Sequence, residues 1–208
     1  MEPLNFSELL ESLNQESSSK DKKTLVQTVA GKNTFTSYQV SEMLEHFSFS
    51  KDQLRTLQVL RPKISDIGNS FQLMDVFTFA KDKKRASQLL GQPENVESAL
   101  NMLKHRELSQ GVEMPAAMEE SAFSELLQVL DRQSFPREKL YLIELAAFRN
   151  TFTSNQVVLL MEKLKFSRHK LRLLEIIHYR ITDPEKNFQI VSAFDRGLDK
   201  KRASELLK

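Results

Sequence analysis

The chain has 208 residues, of which 40% are hydrophobic and 28% charged, and its 30 basic and 28 acidic residues leave a net charge of only +2. This composition fits one or two soluble domains with a buried core, and it excludes nucleic-acid binding that relies on bulk charge alone. The absence of cysteine excludes disulfides, thiolate zinc sites and cysteine nucleophiles.

The distribution of apolar residues predicts an all-α protein without membrane spans. The N-terminus has neither a basic start nor a long apolar run, and no segment approaches 18 apolar residues. We therefore expect an intracellular protein of the cytoplasm or nucleus. Only 5 Gly and 6 Pro occur among many straight-chain residues, which favours helix. The alternating β-branched runs typical of strands are missing.

A tandem duplication organises the chain. Residues 4–90 align with residues 121–207 without an insertion, and Asn33-Thr34-Phe35-Thr36-Ser37 recurs as Asn150-Thr151-Phe152-Thr153-Ser154. We predict one helical module at 1–91, a connecting helix and flexible joint at 92–117, and a second copy at 118–208. A weaker period of about 30 residues inside each copy predicts short antiparallel helices, stacked as hairpins in the manner of an α-solenoid.

The first two helices of the module are predicted from apolar spacing. The first carries an amphipathic stripe at spacings of three and four, formed by Phe6, Leu9, Leu10 and Leu13. The second is predicted to run from about Lys20 to Ala30, with Gly31 as its C-terminal stop.

The third helix has the clearest start signal. Thr36 and Gln39 form a predicted capping box, and Phe35 and Val40 form a hydrophobic staple around it. The second copy repeats all four roles with Phe152, Thr153, Gln156 and Val157.

The fourth helix is predicted to begin in a similar way. Ser50 is the expected N-cap with Gln53 closing the box, and Phe49 is expected to staple to Leu54. In the second copy Lys170 replaces the glutamine, so that only a cap and a staple are expected there, from Ser167, Phe166 and Leu171.

The fifth helix is predicted to be capped by Asp66 in the first copy and by Asp183 in the second, where Pro184 occupies the first helical position. The sixth helix follows with Ala86, Leu89 and Leu90. Beyond it we predict a connecting helix at 94–104, followed by a looser joint at 109–115.

Three recurring motifs resemble one family. They are the Phe-x-Phe-[Ser/Ala] signature, seen at Phe47-Ser48-Phe49-Ser50 and Phe77-Thr78-Phe79-Ala80, the capped start Phe35-Thr36-Ser37-Tyr38-Gln39-Val40, and the Asp-x-x-Asn helix start at Asp66 to Asn69. In these motifs the chain resembles the domain of unknown function 4476, in two tandem copies. The resemblance implies a small helical domain and no catalytic residues. The second copy departs at Leu164 and at Arg196-Gly197, so we expect its final helix to pack differently.

No residue pattern in the chain points to catalysis, a metal or a cofactor. The four histidines, His46, His105, His169 and His178, form no metal-binding pattern and are expected on the surface. Phosphate-binding and nucleophile motifs are missing as well. We therefore predict a protein that is not an enzyme and needs no cofactor.

Basic clusters are the strongest functional signal in the sequence. The densest cluster gives a candidate partner-binding face made of Lys163, Lys165, Arg168, Lys170 and Arg172. Alternatively, neighbouring Asp and Glu make these clusters ordinary solvated helix faces. Our first hypothesis is a protein-interaction or scaffold module that presents a helical groove to a peptide or protein. The second is a binder of nucleic acid or an anionic membrane surface through these basic faces.

Overall fold

The computed structural model divides the chain into two compact units, Met1–Glu94 and Asn95–Lys208. It describes residues 1–92 and 115–208. The predicted connecting helix at 94–104 and almost all of the joint at 109–115 lie outside these residues. The described residues contain helices, three isolated bridges and no strand, which confirms the predicted all-α class.

The helices of the two units follow the same order. Unit 1 contains α1 (Pro3–Gln15), α2 (Ser19–Ala30), α3 (Ser37–Glu45), α4 (Ser50–Leu60), the 3₁₀ helix Ile67–Met74 and α5 (Ala80–Leu89). Unit 2 contains α6 (Glu120–Arg132), α7 (Pro136–Arg149), α8 (Ser154–Glu162), α9 (Ser167–Ile177), α10 (Phe188–Ser192) and α11 (Gly197–Leu206). Shorter 3₁₀ turns follow α4 and α9 at Arg61–Lys63 and His178–Arg180, and Pro184–Lys186 precedes α10.

Among the described residues, the helices of each unit pair into hairpins, and the hairpins lie side by side so that the helices form two rows. In unit 1, α1, α3 and the 3₁₀ helix Ile67–Met74 form one row, and α2, α4 and α5 form the other. In unit 2, α8 packs on α10, while α9 packs on both α7 and α11. This arrangement is compatible with the predicted stacking of hairpins.

Parallel bridges fix the direction of successive hairpins. Phe35 pairs with Ile64, and Phe152 pairs with Ile181 in the same way. The backbone N–H of Phe35 donates to Lys63 O at 2.8 Å, and that of Phe152 donates to Arg180 O at 2.8 Å. Because these bridges are parallel, consecutive repeats enter the fold in the same direction. The N-termini of α4 and α5 therefore lie at one edge of unit 1, and those of α9 and α11 at one edge of unit 2.

The capping box of the third helix is confirmed in both units. The hydroxyl of Thr36 accepts from the Gln39 backbone N–H at 3.1 Å, and the Gln39 side chain accepts from the Thr36 N–H. Thr153 and Gln156 repeat both bonds at the start of α8. Each box satisfies N–H groups that the first helical turn cannot pair internally.

The predicted start of the fourth helix is wrong by one residue in both units. Phe49 and Phe166 occupy the N-cap positions, and Ser50 and Ser167 are already helical, so neither serine caps. The Gln53 amide donates instead to the carbonyls of Phe47 and Leu44, and thereby ties α4 to the end of α3.

The predicted staples of the fourth helix are also wrong. Phe49 is 69% exposed and Phe166 is 50% exposed, so neither ring is buried against its own helix.

Asp66 and Asp183 sit at the predicted N-cap positions, but they bind a different helix. Neither side chain caps the 3₁₀ helix that follows it. The Asp66 carboxylate accepts from the backbone N–H of Ser37, the first residue of α3, and Asp183 does the same for Ser154 at the start of α8. Tertiary contact between neighbouring repeats thus replaces the local cap.

Two further expectations concern the end of α2 and the packing of the final helix. α2 ends at Ala30 and Gly31 follows it as predicted, but Gly31 has a right-handed φ of −58° and not the left-handed conformation that glycine commonly adopts there. The final helix α11 packs on α9 and α10, which matches the packing of α5 on α4 and the 3₁₀ helix before it. Leu164 is buried at the position that Phe47 fills in unit 1.

Candidate interaction surfaces

The predicted basic face surrounds the turn between α8 and α9, and two of its five residues are already paired with acids. Lys163 Nζ lies 2.7 Å from an Asp131 carboxylate oxygen. Arg172 lies 2.9 Å from Glu175, three residues later on α9.

Two members of the basic face meet at an exposed aromatic ring. Lys165 Nζ lies 5.8 Å and Arg168 Cζ 5.5 Å from the centre of the Phe166 ring. Both cations are exposed, while Lys170 is half-buried. Two residues of the predicted basic face thus flank an exposed aromatic ring, the side chain of Phe166.

The Phe-x-Phe motif separates into a core residue and a surface residue. Phe47 and Phe77 are each at most 2% exposed and fill the core of unit 1. Phe49 and Phe79, two residues later, are 69% and 66% exposed. Phe135 stands at the N-cap of α7 in unit 2 and is 66% exposed. The N-terminal ends of these helices therefore carry apolar rings that the core does not use.

An exposed cation accompanies each of these rings. In sequence order the pairs are Phe49 with Lys51, Phe79 with Lys81, Phe135 with Arg137, and Phe166 with Arg168. At α11 the order is reversed, since the cation Arg196 takes the N-cap position and the 63% exposed Leu198 follows two residues later. We refer to the pairs of each unit, two in unit 1 and three in unit 2, as the phenylalanine edge of that unit.

A second surface of unit 1 is a cleft between α4 and α5, which we call the α4–α5 groove. It encloses about 380 Å³ and is lined by Leu54, Arg55, Gln58, Arg85, Gln88 and Leu89. The two leucines are half-buried, whereas the four polar residues are exposed. The groove therefore has an apolar floor between two arginines.

A smaller cleft of about 260 Å³ lies between α2 and α4 and shares Arg55 with the α4–α5 groove. Thr56 lines it and is only 2% exposed, and its hydroxyl has no hydrogen-bond partner in the described part of the chain. A buried hydroxyl without a partner has lost its hydrogen bonds to water. A ligand carbonyl or amide that forms a hydrogen bond with it would recover the free energy lost in that desolvation. In unit 2 the equivalent residue is the buried Leu173.

The duplication supplies an internal comparison for the α4–α5 groove. The equivalent residues of unit 2 keep both leucines and both arginines but replace the two glutamines with Glu175 and Glu205. The six lining residues thus carry a net charge of +2 in unit 1, while their equivalents in unit 2 sum to zero. In unit 2 the first arginine, Arg172, is paired with Glu175.

The titratable residues show no catalytic arrangement among the residues that the structure describes. His46 is half-buried, and burial together with the charge of Lys22 lowers its pKa. His169 and His178 are also half-buried, so the three described histidines remain partly exposed, and His105 lies outside the described residues. Within residues 1–92 and 115–208, no cluster of His, Asp and Glu could hold a metal ion.

Sequence reasoning missed a buried arginine. Arg180 is 3% exposed, and its guanidinium donates to Ala147 O at 2.9 Å and to Phe148 O at 3.4 Å, near the C-terminus of α7. Its equivalent in unit 1, Lys63, is half-buried. No local pattern signals this contact, because the acceptors lie more than 30 residues away.

Comparison with protein-family models matches residues 1–90 and 117–207 to the domain of unknown function DUF4476. The chain belongs to this family. The matches coincide with the two predicted copies, so the tandem DUF4476 arrangement is confirmed. Comparisons with curated proteins and with solved structures each gave no match. None of the helices that the structure describes is long and apolar enough to cross a membrane.

Proposed function

We propose that this tandem DUF4476 protein is a non-enzymatic interaction module whose α4–α5 groove binds an acidic amphipathic segment of a partner protein. The observation that supports this proposal best is the charge difference between two equivalent surfaces. Gln58 and Gln88 flank the arginines of unit 1, whereas Glu175 and Glu205 neutralise those of unit 2.

The shape and chemistry of the groove suit an amphipathic helix. Its apolar side chains would contact Leu54 and Leu89, while carboxylates one turn apart would face Arg55 and Arg85. Hydrogen bonds between guanidinium and carboxylate are stronger than neutral ones and have a defined geometry, so they add specificity to the apolar contact. A neutral or basic segment would gain only the free energy of the apolar contacts.

In unit 1, the acidic residues near Arg55 leave its guanidinium available to pair with a carboxylate of the partner segment. Asp52 is a charged neighbour of Arg55, but the Asp52 carboxylate is hydrogen-bonded to Lys23 of α2. The residue three positions after Arg55 is the neutral Gln58, whereas Arg172 in unit 2 has Glu175 at that spacing. An external carboxylate therefore meets less competition at Arg55 than at Arg172, while Arg85 already has Asp82 at 3.9 Å.

A peptide-display selection on the full chain tests the proposal. We expect wild-type protein to enrich peptides that combine Leu or Phe with several Asp or Glu at helical spacing. The variant Gln58→Glu/Gln88→Glu gives unit 1 the charges of unit 2, and it should weaken binding of the enriched peptides by at least about tenfold. Each selected peptide is measured by fluorescence anisotropy against both proteins.

The duplication also offers a matched control and a second readout. Glu175→Gln/Glu205→Gln changes the same residue types in unit 2, and it should leave binding to unit 1 intact.

Thr56→Val removes the unpaired hydroxyl while keeping the side-chain shape, so it should preserve folding but reduce affinity if the ligand extends into the α2–α4 cleft. Enrichment of basic peptides, or equal binding by wild type and the Gln58→Glu/Gln88→Glu variant, would refute the groove as the site.

A further inference from the structure

Each unit carries a phenylalanine edge, a surface feature that the folding of its helices does not require. The apolar side chains of the two edges, Phe49 and Phe79 in unit 1 and Phe135, Phe166 and Leu198 in unit 2, are between 50% and 69% exposed. Four of them occupy the N-cap position, where short polar residues are strongly preferred because they pair the free N–H groups of the first turn. An apolar ring there forgoes that bond and remains in water.

The cations of the edge oppose the electrostatics of their own helices. Lys51, Lys81, Arg137 and Arg168 are each the second residue of a helix, where the positive end of the macrodipole disfavours a cation. The wider distribution of charge follows the same trend. The first five residues of α4 and α5 together carry four Lys and two Asp, and those of α9 carry Arg168 and Lys170 without an acid. Positive charge is thus concentrated where the apolar side chains project.

The reversed pair at the start of α11 indicates that the presence of one apolar side chain and one cation matters more than their order along the chain. Arg196 replaces the phenylalanine at the N-cap of α11, and Leu198 replaces the cation two residues later. Both side chains are exposed, so the position still presents one apolar group and one cation. Core packing does not explain this exchange, because neither residue contributes to the core.

We propose that the phenylalanine edge of each unit docks on an anionic membrane surface, with its apolar side chains in the headgroup region and its cations facing lipid phosphates and carboxylates. Aromatic and leucine side chains interleaved with Lys and Arg are typical of surfaces that lie in a membrane interface. Binding of single-stranded nucleic acid relies on stacked aromatic rings, and Leu198 cannot supply one.

Flotation of the full chain with lipid vesicles tests the proposal. We expect binding to phosphatidylcholine vesicles that contain about 30 mol% phosphatidylserine, little binding to pure phosphatidylcholine, and weaker binding as salt is raised. The variant Phe49→Ala/Phe79→Ala/Phe135→Ala/Phe166→Ala should lose at least about tenfold in vesicle affinity. Phe188→Ala is the matched control, since Phe188 is also 66% exposed but begins α10 in the other row of helices.

A fluorescence readout identifies the part of the surface that inserts. The chain has no tryptophan, so Phe79→Trp gives a single indole signal. We expect a blue shift of Trp emission on adding anionic vesicles to Phe79→Trp, and none for Phe188→Trp. The proposal is overturned if anionic vesicles do not bind, if both reporters shift equally, or if only an oligothymidine strand alters the Phe79→Trp signal. Failure of vesicle binding leaves the groove proposal intact, because the two surfaces share no residue.

Discussion

The carboxylate of Asp66 accepts a hydrogen bond at 2.6 Å from the backbone N–H of Ser37, a residue that lies 29 positions earlier in the chain. The bond joins the start of one hairpin, at the N-cap position of the 3₁₀ helix Ile67–Met74, to the first turn of α3 in the preceding hairpin. Asp183 and Ser154 form the same bond at 2.5 Å in unit 2. Each serine hydroxyl also donates to the carbonyl of its aspartate, at 3.1 Å in both units.

Replacing Asp66 should destabilise unit 1 because this carboxylate caps a helix from another repeat. We expect Asp66→Ala to lower the free energy of unfolding by about 1–2 kcal/mol, the usual cost of losing an N-cap. Urea unfolding followed by circular dichroism measures the change. Asp21→Ala, which alters an exposed aspartate in the first turn of α2, is the control and should have a smaller effect. Equal effects of the two substitutions would contradict the cap.

Asp183 should make part of the stability of unit 2 dependent on pH. Burial raises the pKa of this carboxyl, but hydrogen bonds from Ser154 and Lys186 outweigh burial and leave the pKa below its usual value of 3.8. A folded-state pKa below the unfolded one stabilises the fold above the unfolded pKa, and this stabilisation is lost as pH falls through the folded value. Unfolding measured from about pH 5 downward should therefore show a steeper loss of stability in wild type than in Asp183→Asn. If the free energy of unfolding falls equally with pH in the two proteins, the Asp183 carboxylate is not the source of the pH dependence.

The two phenylalanines of each Phe-x-Phe motif should respond in opposite ways to truncation. Phe47→Ala opens a cavity in the core and should cost about 3–5 kcal/mol of stability. Phe49→Ala removes an exposed ring and should change stability by less than about 0.5 kcal/mol. Urea unfolding of the two variants provides the comparison, and the pair Phe77→Ala and Phe79→Ala repeats it at α5. A large loss of stability in Phe49→Ala would show that its ring is structural after all.

Arg180 should contribute more to the stability of unit 2 than Lys63, its equivalent, contributes to the stability of unit 1. Arg180→Met keeps much of the side-chain volume but leaves the carbonyls of Ala147 and Phe148 without its guanidinium, at an expected cost of about 2–3 kcal/mol. Lys63→Met at the equivalent position should cost less, since Lys63 is half-buried and donates no comparable bond among the described residues. Thermal unfolding resolves the difference. The interpretation fails if Arg180→Met unfolds at the wild-type temperature.

The sequence by itself determined the helical class, the duplication and the caps formed by Thr36 and Thr153. These features depend on interactions within about four residues or on direct self-similarity, and both are visible along the chain. Tertiary structure alone decided which helix Asp66 caps, where the Arg180 guanidinium lies, and that Phe49 faces water while Phe47 is buried. Those outcomes depend on groups about 30 residues apart, and they become fixed only when neighbouring hairpins pack together.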